Sequence, residues 1–116
     1  MTAYLNSTKI VDLCHEVGEE NLPVLLSIFL DELSGYQQVL SGDPEELECP
    51  LSEISHALKS SAASFGADTL CEMAVSFDAR VKAGEKINTS KNRESILSCL
   101  ENTIREYNQL SAGHLT

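Results

Sequence analysis

The sequence lacks the features that nucleic-acid-binding and membrane-binding chains usually carry. Tryptophan is absent and basic residues are few: 8 Lys and Arg stand against 18 Asp and Glu, which gives a formal net charge of -10 over 116 residues. A protein that binds phosphate backbones needs a cationic face, and one that binds anionic lipids needs a basic segment. The composition therefore argues against nucleic acid and against membrane surfaces as partners.

Long apolar runs and targeting signals are also missing. The longest apolar stretch runs from about Leu22 to Leu30 and is interrupted by Ser27, so it is well short of the ~18 residues that a membrane span requires. The N-terminal sequence MTAYLNSTKIVDL has no basic region followed by an apolar run, which excludes a signal-peptide pattern. We therefore expect a cytoplasmic protein.

The four cysteines form no metal-binding pattern. Cys14, Cys49, Cys71 and Cys99 are too far apart in sequence for a CxxC pair, and the adjacent pair Cys14-His15 is a poor zinc signature. The sequence predicts no metal site and no cofactor bound by this chain. Buried or half-buried thiols in a reducing compartment are the simpler interpretation.

Helical periodicity dominates the chain, and no alternating strand pattern or Asn-Gly or Asp-Gly hairpin occurs. The pattern predicts helices at about 7–17, 21–41, 50–66, 68–83 and 90–110. Predicted helix starts are Asn6 or Ser7, Asp43, Asp68 and Ser90. The predicted fold class is all-α: an antiparallel four-helix bundle with an additional N-terminal helix, in a single domain over 1–116 with its core at about 7–110.

The stretch ISHALKSSAASFGADTL places a histidine on the outside of the third helix. At about 100° per residue, the apolar residues of this helix share the side opposite His56; they are Leu51, Ile54, Leu58, Ala62 and Phe65. His56 is therefore not a core histidine, although an idle surface histidine remains compatible with this geometry.

The neighbours of His56 on its helix face are unusual. They are Lys59, Ser60, Ala63 and Ala67, at spacings of three, four, seven and eleven residues. Three of the four are small, although a solvated helix in so acidic a protein would normally carry long charged side chains. A small-residue surface leaves the imidazole open to a large partner. Lys59 supplies a cation one turn away that can stabilise a phosphoryl group.

The segment HALKSSAASFGADTL resembles the signature of histidine-containing phosphotransfer (Hpt) domains, with a His, a Lys three residues on, small residues, and then Gly-Ala-x-x-Leu. The resemblance covers about residues 5 to 110 and is greatest to phosphotransfer proteins of bacterial quorum-sensing relays. Ser60 stands where many members have Gly. Phe77-Asp78 stands where the family often has Leu-Glu, which we interpret as packing variation.

The resemblance implies a bacterial phosphoryl carrier. His56 would be the phosphoacceptor and Lys59 would stabilise the phosphoryl group, while Ser60, Ala63 and Ala67 would form a surface on which receiver domains dock. The upstream partner would be the receiver domain of a hybrid sensor kinase, and the downstream partner a response regulator. The receiver would supply Mg²⁺. A monomer is expected, because the bundle uses every apolar stripe.

Two other classes of protein fit the sequence less well. The phosphoacceptor half of a sensor kinase needs an acidic residue directly after the histidine, and here Ala57 follows His56. It also needs an ATP-binding domain, and the chain has no Gly-rich phosphate loop. A non-catalytic helical bundle with an idle histidine is the other alternative, which a phosphotransfer assay would separate from a carrier.

Overall fold

The computed structural model describes residues 4–41 and 51–114, and the side chains among them as far as residue 110. Over these residues the chain forms helices only: α1 (Ser7–Val17), α2 (Leu22–Leu40), α3 (Leu51–Phe65), α4 (Asp68–Lys82) and α5 (Ser90–His114). The predicted all-α class is confirmed, with boundaries close to those expected from the periodicity. The helix start predicted at Asp43 lies outside the described residues.

The ends of α1 follow the sequence signals. Asn6 is the N-cap, and its side-chain oxygen accepts a hydrogen bond from the amide of Lys9 at 3.2 Å. Gly18 ends the helix at a φ of 92°, and its amide donates to the carbonyl of Cys14. A carboxamide before the first turn and a glycine after the last are common helix boundaries, because each satisfies backbone groups that the helix leaves unpaired.

Two other predicted caps are wrong. Asp68 and Ser90 are the first residues of α4 and α5 rather than the residues before them. The Asp68 carboxylate accepts from the side chain of Asn6 at 3.0 Å instead, and the hydroxyl of Thr89 accepts from the amide of Asn92 at 3.1 Å. At α5 the side chain that accepts from a first-turn amide belongs to the flanking residue Thr89, whereas at α4 the flanking residue is Ala67, which makes no side-chain cap; sequence places such a boundary only to within a residue or two.

An aromatic cluster lies where α2, α3 and α5 meet. The rings of Phe29 and Phe65 stack with centroids 4.4 Å apart, and Tyr107 meets Phe29 edge-on at 5.3 Å. The Tyr107 hydroxyl donates to the carbonyl of Phe65 at 2.6 Å, so its polar end is satisfied although the residue is fully buried. Leucines from all four long helices complete the core.

The contacts between helices show that α3 and α5 each run antiparallel to α2. Phe29 of α2 stacks on Phe65 of α3, and further along α2 the carboxylate of Glu32 accepts a hydrogen bond at 3.0 Å from Ser61, which comes earlier in α3. Helices α2 and α3 are therefore antiparallel. Arg93 donates to the carbonyl of Leu40 at 2.8 Å, which gives α2 and α5 the same relation. These contacts fix which side of α3 is covered and which side is left open.

The turn between α3 and α4 is tight and is hydrogen-bonded to the residue that caps α1. Gly66 has a φ of 79°, and a Cβ added there would lie 2.8 Å from the Cβ of Lys9. The amide of Asn6 donates to the carbonyl of Gly66 at 2.7 Å. Glycine is required here both by the left-handed conformation and by the close approach of α1. The turn brings α4 directly beside α3, which places α4 side chains next to His56.

The thiols match the expectation from sequence where they are described. Cys99 is buried, while Cys14 and Cys71 are half-buried and free. Cys49 lies outside the described residues. None of the described helices is long and apolar enough to cross a membrane.

Candidate functional site

His56 lies on the open side of α3. Its side chain is 70% exposed, in agreement with the orientation expected from the helical periodicity. Within the part of the chain that the structure describes, the imidazole has one polar contact: Nδ1 lies 3.3 Å from Oδ1 of Asp78, which projects from α4. The other ring nitrogen, Nε2, has no hydrogen-bond partner among the described residues.

Asp78 joins three side chains at this site. Its carboxyl group is only 9% exposed, and its second oxygen, Oδ2, accepts from Lys59 Nζ at 2.6 Å and from Lys82 Nζ at 2.8 Å. These two ammonium groups, Lys59 above all, hold the pKa of Asp78 well below its usual range, against the opposing effect of desolvation. Asp78 in turn raises the pKa of Lys82. The site is therefore a histidine and two lysines arranged around one ionised carboxylate.

Sequence reasoning missed Asp78 and Lys82. The position of Asp78 was interpreted as packing variation, yet the residue contacts the histidine directly. The only sequence signal was the spacing of Asp78 and Lys82, four residues apart on one helix, which is common for a surface ion pair. Nothing in the sequence indicates that this pair faces a histidine 22 residues earlier, because that contact depends on how α4 packs against α3.

Two of the three predicted docking residues are placed as expected. Ser60 and Ala63 are exposed on the His56 side of α3, and Ala57 and Ser64 extend the same open surface. Ala67, by contrast, is fully buried and belongs to the core. The prediction failed because α3 ends at Phe65, so the helical angle that placed Ala67 beside His56 no longer applies after the turn.

A second polar network borders the open surface on the α2 side. The carboxylate of Glu32 accepts from the Tyr36 hydroxyl at 2.8 Å and from the Ser61 hydroxyl at 3.0 Å. Burial, and then the bond to Glu32, raise the pKa of Tyr36 to about 12, so the phenol stays protonated and donates. The small-residue surface of α3 thus lies between this network and the Asp78 cluster.

The geometry gives His56 the properties of an accessible nucleophile. A neutral imidazole has one nitrogen lone pair free to attack an electrophile near physiological pH. At this site the lysine ammonium groups bring positive charge close to that ring, which suits an anionic electrophile such as a phosphoryl group. No group of three or more potential metal-ligating side chains occurs in the part of the chain that the structure describes.

Comparisons with known proteins identify the family of this chain. The model of the Hpt domain family matches residues 24–110, which include both α3 and α4. The chain is 49% identical to the phosphorelay protein LuxU of Vibrio cholerae over 111 residues, covering 95% of this chain and 98% of that protein. It is 45% identical to LuxU of Vibrio harveyi over 107 residues, covering 91% and 94%.

LuxU of Vibrio vulnificus is similarly related, at 45% identity over 104 residues that cover 89% of this chain and 90% of that protein. No solved structure matches the chain. The family match spans most of the chain and contains the exposed histidine, its lysine and the turn after α3. This chain therefore belongs to the Hpt domain family.

Proposed function

We propose that this protein is a phosphoryl carrier in a bacterial quorum-sensing phosphorelay. His56 accepts a phosphoryl group from an aspartyl phosphate on the receiver domain of a hybrid sensor kinase. It then passes the group to an aspartate of a response regulator, of the LuxO type by resemblance. The observation that carries this proposal is the 70% exposed imidazole beside two lysines, in a chain that aligns over nearly its whole length with phosphorelay proteins.

The transfer chemistry requires little from this chain beyond position and charge. The nucleophile is the imidazole Nε2, which attacks the phosphorus in line with the bond to the receiver's aspartate. Lys59 then stabilises the anionic phosphoryl group, since its ammonium group is held beside the imidazole by Asp78. The receiver supplies Mg²⁺ and its own acidic pocket. This protein carries the group and does not use ATP.

Docking uses the open face of α3. A receiver domain must bring its aspartate within reach of His56, so bulky side chains around the histidine would keep it away. The short side chains of Ser60 and Ala63 project little from this surface, and the exposed Ala57 and Ser64 enlarge the area of small residues. We expect a monomer in the cytoplasm that binds receiver domains one at a time, because both partners of a relay use the same histidine.

The direct test is phosphotransfer from a phosphorylated receiver domain. Incubation of the labelled receiver with this protein should move the label onto wild-type protein and leave His56→Gln unlabelled, with the helical circular dichroism spectrum unchanged. His15→Gln is the matched control, because His15 is exposed on α1 and should accept no label. Label on the His56→Gln protein would contradict the proposal. A wild-type protein that accepts no label from any receiver would favour the alternative, a non-catalytic helical-bundle interaction module with an idle histidine.

A further inference from the structure

A cavity of about 310 Å³ lies where α1, the start of α2 and the end of α5 meet. Among the described residues, none of those that line it belongs to α3 or α4, so it is separate from the surface around His56. Its walls are mainly apolar, and they are formed by Ile10, Val11, Cys14, Leu22 and Leu110. Ile10 and Leu22 are buried in the core, whereas Val11 is 53% exposed. The cavity therefore has a fixed apolar floor and a mouth that is open to solvent.

Three polar side chains complete the lining of this cavity: Ser7, His15 and Glu19. All three are exposed, which places them at the mouth. Glu19 belongs to the turn between α1 and α2, where the amides of Asn21 and Leu22 donate to the carbonyl of Gly18 at 3.1 and 3.2 Å. The Glu19 carboxylate has no hydrogen bond or ion pair with another described residue. Apolar walls with a few polar groups at defined positions are typical of small-molecule sites.

The charge around the cavity is negative. Four further carboxylates lie within four residues of a lining position, and all of them are exposed: Asp12, Glu16, Glu20 and Glu106. In the same ranges of sequence the only lysine or arginine is Lys9. Lys9 faces the other side of α1, because its Cβ lies 2.8 Å from the position of a Cβ built on Gly66. The mouth therefore attracts a cation and repels an anion.

We propose that this cavity binds a small organic amine in its ammonium form, with an alkyl or arylalkyl body. The apolar body contacts Ile10, Leu22 and Leu110, and the ammonium group donates to the carboxylate of Glu19. At ~30 Å³ for each non-hydrogen atom, the share of one water molecule in the liquid, the cavity admits roughly ten such atoms. The proposal does not depend on the phosphorelay, because no residue of the site on α3 and α4 takes part.

Three probes that share a phenyl ring and a three-carbon chain and differ in the head group test the proposal: 3-phenylpropylamine, 3-phenylpropan-1-ol and 3-phenylpropanoate. Each is titrated at pH 8, where imidazoles are mainly neutral, into nitrogen-15-labelled protein, and the amide shifts are followed by NMR. We expect the amine to move the resonances of α1 and of the turn at 18–21, and to saturate with a dissociation constant on the order of 1 mM, as a ligand of this size allows. The carboxylate should bind on the order of tenfold more weakly.

Two variants separate the charge from the cavity. Glu19→Gln retains nearly the size of the side chain, so the affinity for the amine should fall roughly three- to five-fold, the effect of losing an exposed ion pair, while the affinity for the alcohol stays the same. Val11→Trp fills the mouth with an indole ring and should remove the saturable shifts for all three probes. Val24→Trp is the matched control, because Val24 is 59% exposed on α2 and does not line the cavity. Melting curves show whether each variant is folded.

Equal affinities for the amine and the carboxylate would overturn the proposal, as would amine binding that is unchanged in folded Val11→Trp. Amine shifts that never saturate, or that leave α1 unaffected, would do the same. If Val11→Trp does not fold, the comparison of the three probes on the wild-type protein and on Glu19→Gln decides the matter. Binding is read from the unphosphorylated protein, so this result is separate from whether His56 accepts a phosphoryl group.

Discussion

Lys59 has a more constrained position than its sequence suggests. From the sequence it is a single cation on a helix surface, free to turn toward solvent. In the structure its side chain is 28% exposed and its ammonium group lies 2.6 Å from Asp78. The bond to a carboxylate that also contacts the imidazole holds the cation close to that ring, so under the proposed function less side-chain entropy would be lost when a phosphoryl group arrives.

Replacing Lys59 by Ala should therefore slow phosphoryl transfer to His56 by about tenfold, which corresponds to losing about 1.4 kcal/mol of transition-state stabilisation. The measurement is the rate of label transfer from a phosphorylated receiver, together with the lifetime of the phosphohistidine. Lys91→Ala, which removes an exposed lysine from the first turn of α5, is the control. Equal rates and lifetimes for Lys59→Ala and wild type would show that Lys59 only neutralises Asp78.

At the scale of the element, α3 has two different faces. One face is apolar and fully buried, and it includes Leu51, Leu58 and Ala62. The other is open and carries small residues around His56. Helix stability does not require small residues on this face, because longer residues such as Lys, Glu and Gln form helices at least as well as Ser. We therefore attribute the small residues of this face to the proposed docking of a receiver domain.

Ser60→Arg tests that attribution, because arginine is a good helix former and adds a long side chain next to His56. We expect transfer to slow on the order of 100-fold, as small displacements of a reacting group do, while the free energy of unfolding changes by less than about 0.5 kcal/mol. The measurements are the transfer rate and a melting curve. Ser98→Arg, on an exposed position of α5, is the control for the added charge and bulk.

The opposite substitution separates docking from helix stability. Ser60→Gly should retain transfer and lose about 0.5 kcal/mol of unfolding free energy, because glycine has the lower helix propensity. Normal transfer by a folded Ser60→Arg protein would mean that the small residues of α3 serve something other than docking.

At the scale of the whole molecule, Tyr107 connects the core to the turn that positions the site. Its ring packs on Phe29, and its hydroxyl donates to the carbonyl of Phe65, the last residue of α3. Burial raises the pKa of this phenol above its usual value. The hydroxyl is therefore protonated in the folded protein at every pH at which an exposed tyrosine would still be neutral.

A group whose pKa is higher in the folded than in the unfolded protein stabilises the fold at pH values below its pKa in the unfolded state. This contribution is lost as the pH rises through its pKa in the folded state. Tyr107→Phe should cost about 0.5–1.5 kcal/mol at neutral pH through loss of the hydrogen bond. At pH values above about 10, the pKa of tyrosine in an unfolded chain, Tyr107 ionises in the unfolded wild-type protein. This should narrow the difference in unfolding free energy between Tyr107→Phe and wild type. Melting temperatures at neutral and alkaline pH give the measurement; a difference that stays constant would contradict the assignment.

Much of the fold and part of the site could be predicted from the sequence alone. Helical periodicity depends only on residue order, so the positions of the five helices and the outward direction of His56 followed from it. The spacing of Lys59, Ser60 and Ala63 from His56 is likewise local, since residues three, four and seven apart share one face of a helix. The small glycine-containing turn after α3 was also visible.

Other features were decided by tertiary structure. Ala67 left the predicted surface because the chain turns at Gly66, which breaks the helical angle on which the prediction rested. Asp78 joined the site because α4 packs against α3 and brings its carboxylate to His56 across 22 residues of sequence. Periodicity assigns a residue to a face of its own helix, but the partner of that face is fixed by the rotation and offset between helices. The local sequence thus determined the exposed histidine, and helix packing determined the carboxylate that contacts it.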